Sequence, residues 1–231
     1  LLLAPPRAGR TRLISAMVRQ VQETDPEAEV MVLLVDERPE EVTALGREHQ
    51  GTVVSSTFDE PATRHCQVAE MALERARRMV EQGRDVVLFV DSLTRLARSY
   101  NATAAAGGRV VEGMDVQALH SVRRFFGAGR CLEEGGSLTI VATAQVGAGP
   151  VMDQTLVSEL EGTANVEIVL HAELAARGVF PAVDAAQSFT RYSHGLLKED
   201  EIGRLEALRT QMSDDVIDNW KTAKAASESA A

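Results

Sequence analysis

Six short aliphatic and β-branched runs punctuate the chain, at 1–3, 30–35, 53–55, 86–90, 138–143 and 166–170. Several are uniformly apolar rather than alternating, the pattern of a strand covered on both faces. Between them lie longer stretches with apolar residues at helical spacing. The first helix continues through 16–23. A second spans 39–49, with Pro39 suited to a first helical turn. A third spans 61–82 and closes near Gly83, a C-cap residue type. Strands alternating with helices predict an α/β domain with a mostly parallel sheet and helices on both faces.

Two stretches break the pattern. Residues 102–113 are rich in Ala and Gly and read as a mobile loop, and "QVGAGPVMD" at 145–153 reads as a second. A polar stretch around Trp220 predicts a C-terminal helix closing onto the domain. The low-complexity tail, "AKAASESAA" from Ala223, is expected to fray. The expected organisation is therefore one domain over 1–222 and a disordered tail over 223–231. The chain starts inside a strand and without Met, which reads as a domain excised from something longer.

Composition narrows the function. The 231 residues are 45% hydrophobic and 25% charged, so a sizeable core forms and bulk disorder is excluded. The net charge is −10. A surface of that sign repels phosphate backbones, so any nucleic-acid contact must be local, in a groove or pore. Cys66 and Cys131 make no CxxC and read as buried free thiols. No apolar run approaches the roughly 20 residues of a membrane span, and no signal peptide opens the chain.

Three strand ends carry chemistry. After the first strand, Ala4, Pro5, Pro6, Arg7, Ala8, Gly9, Arg10 and Thr11 occupy the eight positions of a phosphate-binding loop, G-x-x-x-x-G-K-[ST]. The first glycine is replaced by Ala4 and the lysine by Arg10. Alone, this stretch reads better as an ordinary strand–turn–helix. The second strand ends in Asp36, Glu37 and Arg38. A carboxylate there can act as general base for water, or the charges can merely cap the helix at Pro39. The fourth ends in Asp91 and Ser92, the form of a Walker-B strand that delivers a carboxylate to Mg²⁺. Ligands of parallel sheets bind at the C-terminal edge, where these three ends converge.

Other residues have plainer readings. His65, His120, His171 and His194 lack metal-ligand spacing. Phe125 and Phe126 read as helix-to-sheet packing. Arg75, Arg77 and Arg78 among Glu70, Glu74 and Glu81 read as a solvated, paired helix face.

The segments "APPRAGRT", "MVLLVDERPEEVT", "STFDEPATRHCQVAE", "DSLTRLARSYN", "ALHSVRRFFGAGR", "EEGGSLTIVATA" and "FPAV" resemble, in order from residue 1 to about 197, the ATPase domain of bacterial transcription termination factor Rho. The resemblance implies a RecA-like P-loop NTPase fold. It implies a cytoplasmic homohexameric ring, with no membrane, that hydrolyses ATP with Mg²⁺ between subunits, moves along RNA through its pore, and meets RNA polymerase in the full-length context. The family's N-terminal RNA-binding domain of OB type is not in this chain.

The same resemblance assigns residues. Arg7, Ala8, Gly9, Arg10 and Thr11, flanked by Pro6 and Arg12, bind the phosphates, with Thr11 and Asp91 at the Mg²⁺ positions. Glu37 is the catalytic glutamate, with Arg38 beside it. Phe180 packs against adenine. Arg191 is the arginine finger for a neighbouring subunit. Residues 104–115, with Gly108, Arg109 and Val110, match one pore loop that grips RNA. Residues 147–152, with Gly149 and Val151, match the other. The family's usual lysines are replaced by Arg7, Arg10 and Val151. An arginine usual before "VFPA" aligns with Gly178, next to Arg177, and Glu112 adds negative charge to a pore loop. A guanidinium is larger and forked, so Arg10 is not a neutral exchange. The implied activity is an RNA-dependent ATPase of reduced or altered turnover. The alternative is a nucleotide-binding ring module without motor activity. A related motor acting on protein is a third reading, opposed by "DERPEEVT".

Overall fold

The six apolar runs become strands of one sheet, though not in chain order. The computed structural model describes residues 1–49, 51–105, 107–147, 149–192, 197–207 and 210. Its elements are β1 (Leu2–Ala4), α1 (Arg10–Thr24), β2 (Glu29–Glu37), α2 (Pro39–Glu48), β3 (Thr52–Thr57), α3 (Ala62–Glu81), β4 (Asp85–Asp91), α4 (Leu93–Thr103), β5 (Val110–Val111), β6 (Met114–Asp115), α5 (Val116–Phe126), β7 (Arg130–Cys131), β8 (Ser137–Gln145), α6 (Val151–Glu161), β9 (Val166–Leu170), α7 (Ala172–Ala176) and β10 (Val183–Thr190).

The main sheet runs β10-β9-β1-β8-β4-β2-β3, with β7 pairing β8 from the side. From β9 to β3 every neighbour is parallel. All six sequence-predicted strands are therefore present. Alternation then decides the faces. On β2, Met31, Leu33 and Val35 enter one core with residues of α3, α4, α5 and α6. Val30, Val32 and Leu34 enter the other with Ile14 and Val18 of α1 and Leu45 of α2. The result is helix, sheet, helix, in which every parallel strand presents its C-terminal end at one edge.

Several expectations need correction. Residues 102–113 are not one loop: α4 runs to Thr103, and β5 and β6 form an antiparallel hairpin. Within 145–153, Gln145 ends β8, and Val151, Met152 and Asp153 begin α6. Pro150 stands at the N-cap with φ −55, already close to helical, and Asp153 in the first turn complements the dipole. The edge strand β10 escapes an apolar-run search because "VDAAQSFT" is half polar.

The cysteines are free, but Cys131 is exposed on the short β7 and Cys66 is half-buried. On α3, Arg77 and Arg78 pair with Glu74 and Glu81 as expected. Glu70 instead accepts a hydrogen bond from the Tyr100 hydroxyl at 2.5 Å and pairs with Arg124. Burial, and then that hydrogen bond, push the Tyr100 phenol far above its ordinary value. Phe125 and Phe126 are buried against the sheet, as the sequence predicts. The helix expected around Trp220 and the tail at 223–231 lie outside the described residues.

Candidate functional site

The chain leaves β1 at Ala4 and enters α1 at Arg10 through a loop with two left-handed residues, Arg7 at φ 64 and Gly9 at φ 81. Gly9 is required twice over. Its φ disfavours any side chain, and a Cβ would stand 3.3 Å from the Phe180 ring. Gly9 is also the N-cap of α1, without a side-chain cap and with no acid in the first turn. The first-turn N–H groups are thus left for an outside acceptor, at the positive end of the helix dipole. A cleft of about 410 Å³, lined by Pro6, Arg7, Gly9, Arg10, Thr11 and Gln145, opens there. A second, of about 450 Å³, shares Thr11 and Arg12 and reaches Ser15, Arg19 and Phe180. The Arg12 guanidinium lies 4.0 Å from the Phe180 ring centroid, a cation–π contact. Behind it Ser15 donates to Glu48 at 2.8 Å and lies 3.0 Å from His49 Nε2. Burial pulls the His49 imidazole below its ordinary value, against the opposing pull of Glu48.

Asp91, at the end of β4, is 1% exposed. Its Oδ1 accepts from the Thr143 hydroxyl at 3.0 Å and forms an ion pair with Arg10 Nε at 3.0 Å. Its Oδ2 is buried and has no hydrogen-bond partner among the described residues. A buried carboxylate oxygen left unpaired is costly. An unpaired carboxylate oxygen there is the kind of hard oxygen donor that a divalent cation such as Mg²⁺, or a water on one, accepts.

Glu37 ends β2 after a bulge. The register between β2 and β3 slips between Val35 and Glu37, and Asp36 sits at φ 55. A bulge of this kind re-aims the next side chain. Glu37 Oε1 accepts from the Arg38 backbone N–H at 3.1 Å, and Oε2 accepts from Arg95 Nη1 at 2.5 Å. Arg95 Nη1 also donates to the carbonyls of Asp36 at 2.9 Å and Val35 at 3.3 Å. One guanidinium nitrogen thus pins three successive residues of the bulge. The motif reading did not single out Arg95. The available signal was a cation in the first turn of α4, where the helix dipole disfavours one. If Glu37 acts on a nucleotide bound at this edge, Arg95→Lys, which keeps the charge but not the planar fork, is expected to lower kcat by on the order of 10²-fold through misplacement of Glu37, with KM unchanged. Steady-state ATPase kinetics check it, and a rise in KM alone would contradict a positioning role.

β1, β8, β4 and β2 are successive neighbours, so Ala4, Asp91 and Glu37 lie within about 15 Å across one sheet edge. Arg191 is not brought there. Its backbone N–H donates to Asn165 at 2.9 Å, at the start of β9 and the opposite sheet edge, about 16 Å along the strand. Arg191 also opposes the rise that burial and Glu161 give the Glu167 carboxyl.

The two candidate RNA loops are neighbours. Glu112, at the tip of the β5–β6 hairpin, accepts a hydrogen bond from the Thr155 hydroxyl of α6. Gly108, Arg109 and Val110 are exposed on the approach to that hairpin and in β5. Val151 is 56% exposed at the first residue of α6, and Gly149 lies against Asp153. Arg98 of α4 holds Asp153 at 2.6 Å. Val146 donates to the Ala4 carbonyl at 3.2 Å, which ties the segment before α6 to the phosphate loop. A larger cavity of about 620 Å³ opens at the opposite edge, beside Leu1, Phe126, Leu138 and Val166. It contains none of the strand-end acids.

The description "ATP synthase alpha/beta family, nucleotide-binding domain" matches residues 1–190. The chain is 50% identical over 210 residues to transcription termination factor Rho of Haemophilus influenzae, covering 90% of this chain and 50% of that protein. Rho of Neisseria gonorrhoeae is also 50% identical over 210 residues, with the same coverage of 90% and 50%. Rho of Escherichia coli K12 is 49% identical over 210 residues, again covering 90% and 50%. The chain therefore spans about half the length of these curated relatives. Among solved structures, a prototypical ATPase from the type III secretion system of pathogenic bacteria superposes with a TM-score of 0.82, over 92% of this chain and 62% of that one. At 23% identity, that likeness shows the fold, a RecA-like P-loop ATPase architecture.

Proposed function

Because the chain belongs to the ATP synthase alpha/beta nucleotide-binding family and is about half identical over 210 residues to the Rho proteins above, we propose that it is the ATPase domain of a Rho-type motor, hydrolysing ATP between copies of itself and drawing RNA through their ring. The carrying observation is the shared sheet edge: a phosphate loop whose Arg10 pairs with Asp91, beside a Glu37 held by Arg95.

Catalysis of this kind is positioning plus charge stabilisation. The loop amides with Arg7, Gly9 and Arg10 grip the phosphates, flanked by Pro6, Ala8 and Arg12. Phe180 takes the base. Glu37 orients the attacking water, and Arg38 adds positive charge beside it. Thr11 and Asp91 would hold Mg²⁺, which when bound would neutralise phosphate charge. Arg191 is too far from its own phosphate loop and serves the next copy's nucleotide, which makes assembly, as a hexamer in this reading, a condition of turnover. Gly108, Arg109 and Val110 on one loop, with Gly149 and Val151 on the other, contact RNA, and RNA polymerase is the further partner of the full-length protein. The test is ATP hydrolysis by the full-length protein with and without pyrimidine-rich RNA. Strong stimulation is expected, and hydrolysis indifferent to RNA would contradict an RNA motor.

A second reading is a ring module that binds nucleotide without turning it over. The Arg10–Asp91 pair favours it, because it ties the cation at the lysine position to a buried carboxylate. ATP bound but never hydrolysed, with or without RNA, would select it.

A further inference from the structure

The Arg10–Asp91 pair has a consequence of its own. Asp91 carries a carboxylate at 1% exposure, and a charge so buried needs a positive partner. The chain supplies one without a metal: Arg10 Nε, 3.0 Å from Oδ1, on a side chain that is itself only 19% exposed. The contact is an ion pair rather than an aligned hydrogen bond, since Nε is buried without a hydrogen-bond partner. Arg10 also lines the phosphate cleft.

A guanidinium presents five N–H donors in a fixed fork, so one edge can face a carboxylate while the other faces an anion. An ammonium is a compact point charge. At the same position it must leave the carboxylate to approach the phosphates, and a divalent cation then has to neutralise what it leaves behind.

We propose that Arg10 is a built-in bridging cation, linking Asp91 to the nucleotide's phosphates, so that this site binds a nucleoside triphosphate without a divalent metal. Mg²⁺ then adds little to affinity, because its Asp91 position is already partly neutralised. This rests on the nucleotide-site reading above and concerns binding, not turnover.

Calorimetric titration of ATP into the full-length protein, in EDTA and in Mg²⁺, tests it with wild type and Arg10→Lys. Wild type should show affinities within about 3-fold of each other, whereas Arg10→Lys should lose at least about 10-fold on chelation. Electron paramagnetic resonance titration of Mn²⁺ into the nucleotide-free proteins gives a second readout: Arg10→Ala should bind Mn²⁺ more tightly than wild type. Equal and steep metal dependence in wild type and Arg10→Lys would overturn the bridging role. Absence of ATP binding by either protein in both buffers would overturn the nucleotide-site reading itself.

Discussion

Glu37→Gln is expected to slow ATP hydrolysis by about 10²–10⁴-fold, the range a positioned general base contributes, while ATP still binds. The substitution is nearly isosteric. Its amide oxygen can still accept from the Arg38 backbone N–H, the contact that Glu37 Oε1 makes at 3.1 Å. What it loses is the negative charge that, in the proposed mechanism, orients and deprotonates water, together with half of the Arg95 ion pair. The bulge should survive, because Arg95 also donates to the Val35 and Asp36 carbonyls. Phosphate release at saturating ATP, with calorimetric ATP binding, separates the two effects. A variant that loses affinity and rate in equal measure would place Glu37 in nucleotide binding rather than in the chemical step.

Arg191→Ala is expected to cost about 10³–10⁵ in turnover, the worth of an arginine finger, and to leave ATP affinity nearly intact. The reason is position. Arg191 follows β10, whose pairing puts it beside Asn165, at the far end of β9 from the phosphate loop. No rotamer spans that distance within one copy. Mixing Arg191→Ala with Glu37→Gln subunits should therefore restore part of the activity, because some interfaces then join an intact Glu37 to an intact Arg191. Mixtures as inactive as the separate variants would show that Arg191 does not act across an interface.

Much of this arrangement is readable from residues alone, for physical reasons. A strand buried on both faces must be apolar throughout, so β2 and β4 announce themselves, and the acids that end them stand out against that background. The phosphate loop is harder to read. Ala4 and Arg10 depart from the usual pattern, and only the φ of Gly9 and the proximity of Phe180, both properties of the folded chain, explain why that glycine persists. Arg95 is out of reach of strand-end reasoning because it acts from a helix 58 residues away in sequence. The segment after β8 reads as loop because Gly and Pro dominate it. Yet Asp153, within the same stretch, is a buried helical residue held by Arg98. Composition describes a segment's average, and the partner that orders it lies elsewhere in the chain.

The account requires that the chain ends after β1, β2 and β4 enclose one triphosphate. A structure of the full-length protein with a non-hydrolysable ATP analogue tests this directly. It should place the terminal phosphate among Arg10, Thr11 and the loop amides, with Asp91 facing the bound metal and a water within hydrogen-bond reach of Glu37. An analogue seated instead in the cavity beside Leu1 and Phe126, or bound at the loop with Glu37 and Asp91 facing away, would contradict it.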